Sequence, residues 1–141
     1  MGELFIFEDS LKNTGDEVTY TFARTSTNAV NITIAWNDIA GSVGAAISLV
    51  NDLDLTVTDG GITYLPNSLR SGTDNVNVIE KFHADYFPAG DCIEVTVKAA
   101  NIMRGPQVFA MVVSGMEEVV PEPCFAFIAL LTALLLGRKT R

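Results

Sequence analysis

Leu49-Val50-Asn51-Asp52-Leu53-Asp54-Leu55-Thr56-Val57 is the stretch that decides the fold. In an extended chain successive side chains point to opposite faces, so Leu53, Leu55 and Val57 fall on one side and Asp52, Asp54 and Thr56 on the other. That alternation is what a half-buried antiparallel strand requires. Its polar face carries two carboxylates spaced two residues apart, the densest oxygen chemistry in the sequence.

The same period of two recurs on both sides of this stretch. Residues 4–8 and 17–24 are separated by Lys12-Asn13-Thr14-Gly15-Asp16, a turn-forming run. Val30, Ile32, Ile34 and Trp36 alternate with polar or small residues over 30–37, and the lone Trp36 reads as a core anchor. Residues 38–48 carry Gly41, Gly44 and several alanines and read as a loop. The Gly41-Ser42-Val43 within it lacks the preceding glycine and the strand-to-helix context of a nucleophile elbow.

Asp59-Gly60-Gly61 predicts a hairpin into a short returning strand at 62–65. Residues 75–82 alternate Val76 and Val78 with Asn77. Cys92–Ala99 sets Ile93, Val95 and Val97 inward, which leaves Cys92 as an edge or surface thiol. Residues 107–114 are apolar on both faces, as in a central strand covered on two sides. About eight strands with turn signals between them, and no amphipathic helix before residue 117, predict an all-β jelly-roll sandwich.

The chain has 141 residues and a formal charge of −8, from 17 acids and 9 bases. Residues 117–141 hold three of each (Glu117, Glu118 and Glu122 against Arg138, Lys139 and Arg141), so the acidic excess belongs to the first 116 residues. Six scattered bases in that portion make no phosphate-binding surface, which argues against a nucleic-acid partner. The two cysteines fall in different parts of the chain, Cys92 in a strand and Cys124 at the start of an apolar run, and are expected to stay unbridged. The N-terminus shows no basic start and no sustained apolar run of the kind a signal peptide needs.

With these blocks laid out, residues 4–115 resemble the jelly-roll, P-domain-like accessory domain that follows the catalytic domain in a group of secreted bacterial subtilisin-like serine proteases. The blocks that carry the resemblance are Leu-Val-Asn-Asp-Leu-Asp-Leu at 49–55, Asp-Gly-Gly-Ile-Thr-Tyr at 59–64, Asp-Asn-Val at 74–76 and Gly-Pro-Gln-Val-Phe-Ala-Met-Val-Val-Ser-Gly at 105–115. The resemblance implies a non-catalytic module, a fragment that stabilises a protease or docks its substrate, with a protease catalytic domain as its partner. No nucleophile, base and orienting acid of a catalytic triad are grouped here, and the single His83 reads as a surface residue rather than a base. Members of the group carry a Glu shortly after the Asn-Val of the sixth-strand block, where this chain has Asn77.

The end of the chain carries a second resemblance. Pro121-Glu122-Pro123, the thirteen-residue run Cys124–Leu136 and the basic end Arg138-Lys139-Thr140-Arg141 resemble a PEP-CTERM sorting signal, handled by an exosortase-type enzyme. A helix of that length spans about 20 Å, short of a ~30 Å hydrocarbon core, which suits a transient, processed anchor. The basic residues would stay cytoplasmic and leave the β domain outside. The expected organisation is therefore a β-sandwich over 1–116 and a sorting tail with a hydrophobic helix over 117–141. The protein would be exported, anchored transiently in the membrane, then held at the cell surface or released.

Two further readings come from the residues. Jelly-roll sandwiches also serve as carbohydrate-binding or adhesive modules of an exopolysaccharide matrix, with Tyr64, Tyr86 and Phe87 the available aromatics. Hard cations need six to eight oxygens, and Asn51, Asp52, Asp54, Asp74 and Asn75 are the expected ligands of a structural calcium, with Asp59 and Asn77 as further supply. The competing account is that these Asp and Asn residues serve turns and solvated strand faces.

Overall fold

The structure is a computed structural model that describes residues 3–23, 29–45, 49–68, 71–86 and 92–119. Among the described residues there are nine strands and no helix: β1 (Leu4–Leu11), β2 (Glu17–Ala23), β3 (Val30–Trp36), β4 (Asn51–Asp59), β5 (Ile62–Tyr64), β6 (Ile79–Ala84), β7 (Cys92–Ile102), β8 (Gln107–Ser114) and β9 (Glu117–Val119). They form two antiparallel sheets, ordered β1-β8-β3-β6 and β5-β4-β7-β2-β9. The expected two-sheet all-β sandwich is present. The expected C-terminal helix, the sorting residues Pro121, Glu122, Pro123, Arg138, Lys139 and Arg141, and Phe87 lie outside the described residues.

The period-two pattern explains the core. Leu53, Leu55 and Val57 of β4 face Ile32, Ile34, Phe109, Met111 and Val113 of the other sheet, and all are at most 1% exposed. Burying one such side chain fully stabilises by roughly 1.5–3 kcal/mol, which makes this alternation the main determinant of register. Trp36 closes one end of the core, and its indole N–H donates to the carbonyl of Asn51 at 3.1 Å. The Asp59-Gly60-Gly61 turn forms as expected, with φ of 53° and 87° at the two glycines and Asp59 paired with Ile62. Positive φ at both central residues is what a tight hairpin requires and what glycine supplies.

Four expectations are corrected. The sixth strand begins at Ile79 rather than residue 75, because Asp74 folds the preceding residues into a loop and leaves Val76 exposed. β8 is central in its sheet, yet among the described residues only one of its faces is covered: Val108 and Val112 stand exposed beside Leu4 and Ile6 of β1. Glu117–Val119, assigned above to the tail, pairs with β2 as the last strand of the second sheet. Cys92 is half-buried and disulfide-bonded rather than a free thiol, and Cys124 lies outside the described residues.

The two outer faces differ in character. The β1-β8-β3-β6 face presents Leu4, Ile6, Val108, Val112 and Ile79 to solvent. The opposite face presents Thr19, Thr21, Thr56, Thr96, Glu94 and Lys98, with the Thr19 and Thr96 hydroxyls 2.9 Å apart.

Candidate functional site

β5 is short and pairs only with residues 57–59 of β4, so the first two-thirds of β4 has a partner, β7, on one side alone. The open edge so created is met by β6 of the facing sheet and by the loop that leads into it. Acidic residues collect along this seam.

Glu80 is the best-placed of them. Strand alternation turns Glu80 and Phe82 of β6 inward, and Glu80 is 0% exposed. Its Oε2 accepts a hydrogen bond from the Leu55 backbone N–H at 2.5 Å, capping an amide that the short β5 does not reach. Its Oε1 is buried and has no hydrogen-bond partner. Burial pushes the Glu80 carboxyl up to about 8; the Leu55 N–H opposes this, while the charges of Asp54, Asp74 and Asp52 add to it.

Asp52 and Asp54 come from β4 itself. A register shift between Asp52 and Leu53, opposite an extra residue on β7, marks a bulge at this point. Asp52 is only 9% exposed, and the Oδ1 atoms of both residues are buried without a partner. Burial first, and then the charges of Asp54, Asp74 and Asp38, push Asp52 up to about 6. Burial also raises Asp54, moderated by Lys98, its cross-strand neighbour on β7, and reinforced by Asp74.

Asp74 behaves differently because it is thoroughly bonded. Burial would raise its pKa, but donors outweigh burial and hold it below the ordinary carboxylate value: the Asn77 and Asn67 side-chain amides and the Val76 and Asn77 backbone N–H groups. The distances run from 2.6 Å for Asn67 Nδ2 to 3.2 Å for the Asn77 N–H. Asn67 in turn covers the edge of β6: its backbone N–H donates to the Lys81 carbonyl at 2.7 Å, and its Oδ1 accepts from the Lys81 N–H at 3.0 Å. A single Asn therefore ties the loop acid to the strand edge.

The structure thus sorts the residues expected as ligands. Asp52, Asp54 and Asp74 come together. Asn51 does not join them: it is fully buried and its amide is fully engaged, with Nδ2 donating to the Arg104 carbonyl and Gln107 Oε1 and Oδ1 accepting from the Met103 and Arg104 N–H groups. Asn51 is a staple between β4 and the β7–β8 turn. Asn75 is exposed at the loop surface. Asn77 serves Asp74 through both its backbone and its side chain.

Glu80 is the residue that sequence analysis missed. Glu80 lies three residues beyond Asn77, and a sixth strand placed at 75–82 does not show that 80 is an inward position beside Phe82. A carboxylate within an otherwise alternating apolar face was the available signal. Among the described residues, no group of three or more acidic, His or Cys side chains is placed to hold a metal ion. The cluster is a gathering of acids around an open seam.

Elsewhere, His83 is exposed, with Nδ1 2.7 Å from Asn31 Oδ1 and Nε2 3.0 Å from Asp85 Oδ1. Of the aromatics offered for glycan stacking, the two among the described residues are placed differently: Tyr64 packs on Phe82 with ring centroids 5.7 Å apart, while Tyr86 stands exposed.

No family model matches the chain. Over 116 residues it is 29% identical to the Serine protease/ABC transporter B family protein tagA of Dictyostelium discoideum. That alignment takes in 74% of this chain and 7% of the relative, so the chain spans a small part of the curated protein it matches. Among solved structures it is similar to the GH115 4-O-methyl-alpha-glucuronidase BtGH115A, at 18% identity and a TM-score of 0.41 over 85% of this chain and 16% of the other. The chain is therefore distantly similar to a protein named for a serine protease, through one segment of that protein.

Proposed function

We propose that this chain is a non-catalytic accessory module, of jelly-roll topology, belonging to an exported subtilisin-like serine protease. The observation that carries this reading is the alignment with the serine-protease-named protein, which takes in 74% of this chain as a small segment of a much longer polypeptide. Two structural facts support it. The order β1-β8-β3-β6 against β5-β4-β7-β2 sends the first four strands alternately to the two sheets and interleaves the last four, the wrapped arrangement of a jelly roll. The exposed apolar strip of Leu4, Ile6, Val108 and Val112 suits a module that rests against a neighbouring domain.

In this role the module contributes stability or substrate docking, and the catalytic groups belong to the partner domain. The PEP-CTERM-like tail would deliver the assembly to an exosortase-type enzyme, through a transient membrane anchor, and then to the cell surface. The genomic sequence upstream of this reading frame tests the proposal. A subtilisin-like catalytic domain encoded in the same frame or in a split neighbouring frame supports it; an intergenic region free of any protease-like sequence sinks it. The carbohydrate-binding alternative is tested by a glycan array, and specific retention of a saccharide would replace the protease account.

A further inference from the structure

We propose that the groove between β5 and β6 binds a short extended peptide segment with an acidic side chain, which adds its backbone to the free edge of β6 and its carboxylate to Lys81. This goes beyond the accessory role proposed above and does not depend on it; a free-standing sandwich would offer the same groove.

Strand alternation decides which peptide groups of β6 point away from its sheet. β6 pairs with β3 and has no other strand partner among the described residues. The Trp36 N–H donates to the Val78 carbonyl, so the even-numbered residues here turn their peptide groups toward β3, and Ile79, Lys81 and His83 turn theirs outward. Asn67 meets the first two of these as an added strand would. Its N–H donates to the Lys81 carbonyl at 2.7 Å, its Oδ1 accepts from the Lys81 N–H at 3.0 Å, and its Nδ2 donates to the Ile79 carbonyl at 3.3 Å. Asn67 and Ser68 then take φ of 51° and 59°, left-handed values that end extended pairing. The mimicry stops there, and no hydrogen bond among the described residues reaches the outward peptide group of His83. A free strand edge of this kind is completed by another extended backbone.

The side chains around the gap indicate what such a segment carries. Tyr64 and Phe82, with ring centroids 5.7 Å apart, line the groove as an apolar floor, and the exposed Thr63 and Ser68 stand on its rim. That floor takes an apolar side chain from one face of an alternating segment. Lys81 and His83 lie on the outer face of the sheet. His83 is already engaged, with Asn31 and Asp85 on its two ring nitrogens. Lys81 is exposed and enters no ion pair among the described residues, in a chain of 17 acids and 9 bases. A carboxylate on the added strand meets that ammonium, because opposite charges on neighbouring strands attract and like charges repel. The net charge of −8 opposes an acidic ligand at a distance, but screening limits that repulsion to ~8 Å at physiological salt, so Lys81 governs at contact. A saccharide has no N–H and C=O groups in register with a strand edge, which favours a peptide.

The test uses the full chain, kept in a non-ionic detergent for its apolar tail, and a fluorescein-labelled peptide of alternating glutamate and valine, followed by fluorescence anisotropy. Saturable binding is expected, and Lys81→Glu should weaken it by at least ~10-fold, with Lys81→Gln weakening it less. Lys12→Glu makes the same charge change just past the end of β1, at the opposite edge of that sheet, and should leave binding within about 2-fold. A fully N-methylated peptide of the same sequence should bind at least ~10-fold more weakly, because strand addition uses its N–H groups. A peptide of alternating lysine and valine should also bind at least ~10-fold more weakly. Absence of saturable binding at millimolar peptide overturns the site. So do binding that survives Lys81→Glu, equal binding of the N-methylated or the lysine peptide, and binding of oligogalacturonate as tight as that of the acidic peptide.

Discussion

Replacing Asn51 with Ala separates the two roles that an Asn beside two acids can play. As a staple, Asn51 makes four side-chain hydrogen bonds, to the Arg104 carbonyl at 2.7 Å, to Gln107 Oε1 at 2.9 Å, and from the Met103 and Arg104 N–H groups at 3.0 and 3.1 Å. A buried hydrogen bond contributes about 1 kcal/mol net, and leaving its partner unsatisfied costs a further ~1–3 kcal/mol where water cannot enter. Met103 and Arg104 lie near the surface and recover part of that loss from solvent; Gln107, 5% exposed, does not. The expected loss is therefore ~3–5 kcal/mol, a large share of the stability of a domain this size.

Urea unfolding followed by the fluorescence of Trp36, the single Trp and a neighbour that hydrogen-bonds to Asn51, reads this directly. The loss should be the same in calcium and in EDTA, because Asn51 does not reach the cluster. A loss below ~1 kcal/mol, or one that appears only when calcium is present, would refute the assignment of Asn51 as a staple.

Four further outcomes follow from the geometry. In EDTA, stability should fall as pH rises from about 4 to about 8: Glu80 and Asp52 have raised pKa values, at about 8 and about 6, so the folded state holds protons that the unfolded chain has already released. Glu80→Gln keeps an oxygen for the Leu55 N–H and should flatten the upper part of that pH profile, measured by thermal melts at half-unit intervals. Asp74 has the opposite sign; its depressed pKa adds stability above the ordinary carboxylate range that is lost in acid, and Asn67→Ala should lessen that acid sensitivity while costing ~1–2 kcal/mol at pH 7 by uncovering the β6 edge. Gly115→Ala should destabilise severely, since φ is 79° there and an added Cβ would run into the Ala29 carbonyl oxygen; an unchanged melting temperature would contradict the packing of β8 against the start of β3.

How much of this was legible in the sequence depends on what each residue answers to. The β4 alternation of Leu53, Leu55 and Val57 answers to burial alone, so a period of two located both the strand and its inner face. The Asp59-Gly60-Gly61 turn answers to backbone sterics, which are local, and it formed as read. The candidate site answers to tertiary placement. Asp52 and Asp74 are 22 positions apart, and Asn51, adjacent to Asp52, faces the other way because the strand turns it inward. Only the arrival of β6 opposite the open edge of β4 shows that Glu80 belongs with the acids and Asn51 does not. Val108 and Val112 mislead for a related reason: an apolar residue on both faces of a strand signals cover, but the cover need not be supplied by the same chain segment.

The central claim, that the chain serves a serine protease, is tested most directly by labelling the native protein. An antibody raised against residues 4–116 captures the polypeptide from the cells that make it, and a fluorophosphonate probe reports an activated serine in the captured material. The account predicts a labelled serine hydrolase of subtilisin-like sequence, in the same polypeptide or tightly bound to it, identified by peptide mass spectrometry. Capture of the β-sandwich chain with no labelled serine and no protease peptides would contradict it.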